Sequence, residues 1–528
     1  MSPSDPLPSS FPSVSYETWR ARVEGELGAD SGPRLRHETL EGIEVEALYS
    51  ADHLAAALES VRSTGSSALS SASSASGWRT WHEVPVSGGA AARAALGREA
   101  DRELGGVWLR LDDSVTAARA AHVLGDAVGR AGVEVAVEWA GEPLASAALI
   151  VAAAEQAGSK PERLGGCLGC DPLGVLARRG TLSGFACEQT VAAARWTAAH
   201  APAMRAALVS TAPYADAGAD AVQEIAFALA TGARTLRSLL DAGLTPVEAA
   251  SQILVSLTVG RDLYLQAAKL RAMRLTWGML LASVDAPSDA FRLHARTAWR
   301  TKGRRDPGTD LVRATVETFA AVLGGADDIT TSPLLDADEE MALGMPLGSA
   351  TQLLLREEVG LDRVADAAGG SWYVESLTAM LARRGWEIFE GIERRGGMAR
   401  ELAVGAIAQQ VAAAAERRRH ALAEKALPIV GVTLHPPKQP APLPHRPLVV
   451  APESNGHAAN GGAEPAIVSW AGEPDSPALF AVAVNAAVKG ATVAALAAAV
   501  PQGHTLLRAP GLVAWRDAEP FESTEATA

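Results

Sequence analysis

Short apolar runs recur along the middle of the chain, separated by longer stretches of helical period. "GVWLRL" (106–111), "VEVAVEW" (133–139), "RLGGCL" (163–168) and "AALVST" (206–211) each have the length of a buried strand. "QILVSL" (252–257), "FRLHART" (291–297), "ADDITTS" (326–332) and "LDRVAD" (361–366) continue the series. Between them lie amphipathic segments such as "GADAVQEIAFALATGARTLRSLLDAG" and "DLYLQAAKLRAMRLTWGMLLASV". Strands alternating with helices predict right-handed crossovers and a parallel sheet. Eight such units over roughly 260 residues predict an α/β fold, a (β/α)8 TIM barrel. A doubly wound open sheet is the alternative. It would have fewer strands and a phosphate-binding glycine fingerprint, and no G-x-G-x-x-G follows a strand.

The flanks lack this rhythm. Residues 1–77 read as an arm: a Pro/Ser-rich start, a helix over 16–28, an extended segment over 35–50, and the low-complexity connector "SVRSTGSSALSSASSASG" (60–77). Residues 78–435 hold the barrel with trailing helices over 377–397 and 398–426, closed by "LPIVGVT". Residues 436–465 form a Pro/Gly/Asn linker, and 466–528 a short tail with an Ala-rich helix over 478–500.

Composition narrows the function classes. With 48% apolar residues, a chain of 528 can bury a large core. A net charge of −14 disfavours nucleic acid and anionic membrane surfaces as partners. The start "MSPSDPLPSSFPS" has no basic region followed by an apolar core, and the longest apolar run, "LASAALIVAAA" (144–154), is too short to span a bilayer. A cytoplasmic location is therefore expected. The three cysteines are too few for a disulfide framework. Cys167 and Cys170 form a C-x-x-C without a second ligand pair at zinc spacing, and Cys187 stands alone; all three read as small buried residues.

In a barrel, chemistry sits in the loops after each strand. After "AALVST", the fourth predicted strand, come Ala212, Pro213 and Tyr214. Proline has neither a side-chain proton nor a backbone N–H, so only Tyr214 and Asp216 remain there, and an N-cap role accounts for Asp216. His294 and Arg296 project from one face of the sixth predicted strand; His294 reads either as an acid/base or anion-binding group or as a satisfied core histidine. The loop "WRTKGRRDP" (299–307) concentrates Arg300, Lys302, Arg304 and Arg305, a cluster suited to phosphates or equally to a solvated or partner-facing surface. No nucleophile has an attendant base, and no His/Asp/Glu set has metal-site spacing.

Taken together, "GADAVQEIAFALATG", "AAKLRAMRLTWGML", "TQLLLREEVGLDRVADAAGGSWYVESLT" and "RGWEIFEGIERRGGMA" resemble the barrel of the methylmalonyl-CoA mutase family, over about residues 11–435. The resemblance implies cobalamin-dependent interconversion of methylmalonyl-CoA and succinyl-CoA, as in propionate metabolism. It also exposes departures. The segment R-G-x-Y-P-T-M-Y, which threads CoA through the barrel of catalytic chains, has no counterpart in "GWRTWHEVPVSG" (77–88). The Tyr-His that contacts the thioester carbonyl falls on Ala212 and Pro213. An arginine expected before the "AKLRA" helix falls on Gln252. The glutamine of H-S-Q-T falls on Arg296, while His294 matches. R-N-T-Q-L reads Ser349, Ala350, Thr351, Gln352 and Leu353. Tyr214, His294 and Gln352 are thus possible survivors, and Ala212, Pro213, Gln252 and Arg296 vestigial positions. The cobalt-ligating D-x-H-x-x-G does not occur in the sequence, and no catalytic, cofactor-binding or metal residue is assigned. The pattern is similar to the small, non-catalytic subunits of this family. It implies a large catalytic partner in a heterodimer, with adenosylcobalamin bound through that partner and stabilisation as this chain's role. The alternative expectation is an active acyl-CoA mutase barrel that uses a separate cobalamin-binding subunit.

Overall fold

The computed structural model describes residues 14–28, 35–55, 77–127, 132–139, 141–334, 343–437, 475–499 and 506–522. The Pro/Ser-rich start, nearly all of the Ser-rich connector and the linker beyond residue 437 lie outside these described residues. Eight parallel strands close into a barrel: β1 (Arg79–Pro85), β2 (Gly106–Arg110), β3 (Glu134–Glu138), β4 (Gly166–Cys170), β5 (Met204–Ser210), β6 (Ile253–Val259), β7 (Leu293–Thr297) and β8 (Asp328–Thr330). The ring closes where Asp328 and Thr330 of β8 register with Arg79 and Trp81 of β1.

Seven of the eight predicted strands fall on barrel strands. The eighth does not: 361–366 is a run of turns between Gly360 and the helix Trp372–Arg394. The missing strand stands at the other end, in "RTWHEVP". Its alternation is masked because the inward positions Arg79 and Glu83 are charged. All strand positions therefore move up by one, so "AALVST" is the fifth strand and His294 lies on the seventh.

Helices pack around the ring as their apolar faces require. α1 (Pro143–Gln156) is apolar nearly all round and buried from Pro143 to Ala154, because the helix Pro477–Val488 of the tail covers its outer side. α2 (Ala221–Asp241) starts at a capping box in which Asp220 and Gln223 satisfy each other's backbone N–H groups. That corrects the N-cap assigned to Asp216, which instead ends a single helical turn, Ala212–Asp216. α3 (Leu263–Ala282) and α4 (Trp372–Arg394) pack against α2. The predicted helix over 398–426 breaks into Met398–Ala403 and α5 (Ala406–Ala423), where Gly405 takes a left-handed conformation. The tail's predicted helix likewise divides, into Pro477–Val488 and Val493–Ala499. Among the described residues no helix is long and apolar enough to cross a membrane.

Candidate functional site

Residues 506–522 leave the tail as a strap across the C-terminal mouth of the barrel. Leu506–Arg508 pairs antiparallel with Thr181–Ser183, beyond β4. Leu512 N donates to Ala177 O, Trp515 N to Asp216 O, and the Trp515 indole to Ala217 O at 3.1 Å. Asp517 N then reaches Arg300 O. The strap so ties the loops after β4, β5 and β7.

Below it the barrel axis is solid. The lowest layer is a closed ring of ion pairs: Arg79 and Arg292 each bind Glu134 and Asp328. Above that lie the rings of Trp81 and Trp108, packed with Leu208, Leu254, Ala136 and Cys167. Gly106 makes the room, since a Cβ there would stand 2.3 Å from the Trp81 ring. His294 stacks on Trp108 with centroids 4.6 Å apart. Its Nδ1 is 2.8 Å from Ser256 Oγ and its Nε2 2.8 Å from Thr330 Oγ1, so both ring nitrogens are engaged. Burial, reinforced by Arg296, holds this imidazole well below its usual pKa, which keeps it neutral. The top layer is Arg296, bonded to Glu138 at 2.8 Å, paired with Glu83 at 3.4 Å and lying over Trp108. Burial alone would raise the Glu138 carboxyl, but Arg296 and Arg178 hold it well below the usual range.

Beside that layer a cavity of about 20 Å3, room for roughly one water, is lined by Glu138, Gly169, Asp171, Arg178 and Ser210 among others. Asp171 caps the helix Pro172–Arg179 through Gly174 N, and burial pushes its pKa up to about 7. The adjoining C-x-x-C is split by a bulge at Gly169 (φ +72°), so Cys167 enters the axial cluster while Cys170 turns out towards Pro143 O. Both are free and buried, as expected of small core residues; Cys187 is half-buried. Among the described residues no three His, Cys, Asp or Glu side chains come together to hold a metal.

The family model for methylmalonyl-CoA mutase matches residues 114–454, which is more than half of the chain. The chain belongs to the methylmalonyl-CoA mutase family. It is 32% identical over 464 residues to the methylmalonyl-CoA mutase small subunit of Streptomyces virginiae, covering 84% of this chain and 74% of that protein. To the small subunit of Propionibacterium freudenreichii subsp. shermanii it is 30% identical over 478 residues, 85% of this chain and 73% of that one. The methylmalonyl-CoA mutase of Cereibacter sphaeroides matches at 36% over 225 residues, 41% of this chain and 31% of that protein.

Within this mutase-family barrel the positions singled out by the resemblance scatter. Ala212 and Pro213 open the helical turn after β5, both buried beneath the strap. Tyr214 turns into the core against Phe227, and its burial raises the phenol pKa. The turn is anchored from behind by Glu224 of α2, which accepts from Thr211 Oγ1, Thr258 Oγ1 and Lys269 Nζ at 2.6–2.9 Å. Gln252 lies at the opposite end of the barrel, before β6, where its Oε1 accepts from Thr197 and Ala206 N. Gln352, on the helix Met345–Leu353, bridges the Trp78 indole and Ile329 O outside the ring. Only His294 and Arg296 face the axis, and both are fully engaged. The basic loop 299–307 faces inward rather than to solvent: Lys302 is buried against Glu317 at 2.6 Å, Arg304 N binds Glu522, and Arg305 binds Phe521 O. Sequence reasoning missed Trp81, Trp108, Glu138 and the strap. The alternation in "RTWHEVP", which could have pointed to Trp81, is broken by the inward charges Arg79 and Glu83.

Proposed function

We propose that this chain is a non-catalytic small subunit of a cobalamin-dependent methylmalonyl-CoA mutase. In this reading it supports the interconversion of methylmalonyl-CoA and succinyl-CoA by stabilising a large catalytic subunit in a heterodimer, and adenosylcobalamin is held by that partner. The observation that carries the reading is the filled axis. A thioester chain threaded along the barrel would have to expel Trp81, Trp108 and His294 and break the pairs of Arg296 with Glu83 and Glu138. Uncoupling a buried ion pair by itself costs about 3–5 kcal/mol.

Two further features support it. Ala212 and Pro213 offer no side-chain donor at the position where the resemblance places a carbonyl-polarising histidine, and losing such a donor costs roughly 10²–10⁴ in rate. The strap also covers the mouth, so the residues there do not fit a corrin ring. The small-subunit names of the Streptomyces and Propionibacterium relatives agree with a partnered role. An obligate interface of this kind buries roughly 2,000–5,000 Å2.

The test is turnover of methylmalonyl-CoA by the purified chain alone, by a large subunit alone and by the two together, with cob(II)alamin followed by EPR. We expect no turnover and no radical signal from this chain alone. In the complex, His294→Ala should leave turnover unchanged wherever the complex still assembles. A radical signal from this chain with only a separate cobalamin-binding protein and an acyl-CoA would establish the active-barrel alternative instead.

A further inference from the structure

The strap brings one carboxylate into a cage of arginines. Asp517, 1% exposed, faces Arg418 of α5 at 3.5 Å, Arg261 of the loop after β6 at 3.6 Å and Arg300 of the loop after β7 at 3.8 Å. None of these approaches is a hydrogen bond. Both Asp517 oxygens, both terminal nitrogens of Arg261, and Nε and one terminal nitrogen of Arg300 are buried without a hydrogen-bond partner among the described residues. Three other carboxylates, Glu41, Asp216 and Glu317, act on the cage from beyond ion-pair distance. Burial and the neighbouring Arg300 depress Arg418 to about 10, with Asp517 opposing them. Three fork-shaped cations therefore converge on a single negative charge that is too far away to satisfy any of them.

Guanidinium forks match the tetrahedral, doubly charged face of a phosphate better than a lone carboxylate at this distance. We propose that Arg261, Arg300 and Arg418 form an oxyanion site for a phosphate-class dianion at the barrel mouth, and that Asp517 is its resident substitute. Binding brings the donors within hydrogen-bond reach of three or four oxygens and displaces the Asp517 side chain. The Asp517 side chain is the part that yields: it makes no hydrogen bond among the described residues, while the rest of the strap stays held by Arg516 on Lys302 O, Arg305 on Phe521 O, the Trp515 indole bond and the apolar packing of Trp515 and Ala518. The site does not rest on the reading as a mutase subunit, and its test needs no turnover.

The experiment is calorimetric titration of inorganic phosphate into the full chain at constant ionic strength made up with chloride. Asp517→Asn keeps the strap's shape and removes the competing charge, so phosphate should bind about tenfold more tightly, the equivalent of one charge-assisted contact. Arg261→Gln removes a side chain whose terminal nitrogens make no hydrogen bond among the described residues and should weaken binding about tenfold while leaving the melting temperature in place. Equal affinity in the three proteins, or no saturable heat in Asp517→Asn, overturns the site. If Asp517→Asn does not fold, the decision passes to thermal protection by phosphate: wild type protected and Arg261→Gln not supports the site, and equal protection overturns it. A nucleoside monophosphate in a parallel titration separates the sources. Binding with the same dependence on Arg261 identifies the phosphate group of a metabolite, and binding of inorganic phosphate alone identifies a free ion held beneath the strap.

Discussion

The axis of the barrel and its mouth draw on the same residue types and reach opposite balances. In the axis Arg79, Arg292 and Arg296 each have a carboxylate partner within hydrogen-bonding distance, and Trp81, Trp108 and His294 fill the space between the charged layers. At the mouth Arg261, Arg300 and Arg418 share one carboxylate at 3.5–3.8 Å. The strands dictate the difference. Register between neighbouring strands fixes the height of every axial side chain, so opposite charges meet in layers. The mouth is assembled from two loops, α5 and the strap, elements far apart in sequence, and no shared register places its groups. Complete pairing marks structure; incomplete pairing marks capacity to bind.

Substitutions can break or sharpen this contrast. The largest effect is expected in the axis: Trp108→Ala should cost about 3–5 kcal/mol, read from the denaturant midpoint, without creating affinity for an acyl-CoA. Tight acyl-CoA binding by that variant would show that the indole alone blocks a working channel. Gly106→Ala should cost about 1–3 kcal/mol by overpacking against the Trp81 ring; a neutral result would mean the ring has space to shift.

Between the two regions, Asp171 is expected to make stability depend on pH. Its folded pKa, about 7, lies above the ordinary carboxylate value. The folded chain therefore keeps a proton that the unfolded chain releases, and this contribution to stability is full below about pH 4 and lost as pH rises towards 7. Asp171→Asn retains the cap and should flatten that decline by about 1–2 kcal/mol, measured as the gap between variant and wild-type melting curves at pH 5 and pH 8. An unchanged gap would remove Asp171 as the cause. The smallest effect belongs to the mouth. Trp515→Ala should raise hydrogen exchange across the strap residues by about tenfold, roughly 1.4 kcal/mol of local opening, with little change in global melting. A large global loss would make the strap part of the core.

Much of the ring was legible because β2, β5 and β6 in particular carry largely apolar runs, the mark of parallel strands buried on both faces. β1 was missed for a related reason. Arg79 and Glu83 point into the barrel, where charge is tolerated only because Glu134, Asp328 and Arg296 meet it there, and no short window of sequence reveals such partners. The segment 361–366 imitated a strand in composition, but Gly360 and its own aspartates favour turns. Asp216 looked like a cap because a helix follows; the cap is Asp220, with Gln223 three residues on completing the box. His294 and Arg296 were correctly placed on one face, but their hydrogen-bond partners, Ser256, Thr330 and Glu138, are supplied by other strands. The strap has no periodicity to read, and the basic loop became intelligible only once Asp517, Phe521 and Glu522 lay across it.

A tube without a bore behaves as a rod. With Arg79 and Asp328 at its foot, the indoles stacked through its middle and Arg296 at its head, a push on either end meets close-packed atoms the whole way. Load applied where β1 enters would be carried to the loops after β7 past a gap, the small cavity beside Arg296. Such a body makes a stiff brace for whatever leans against it.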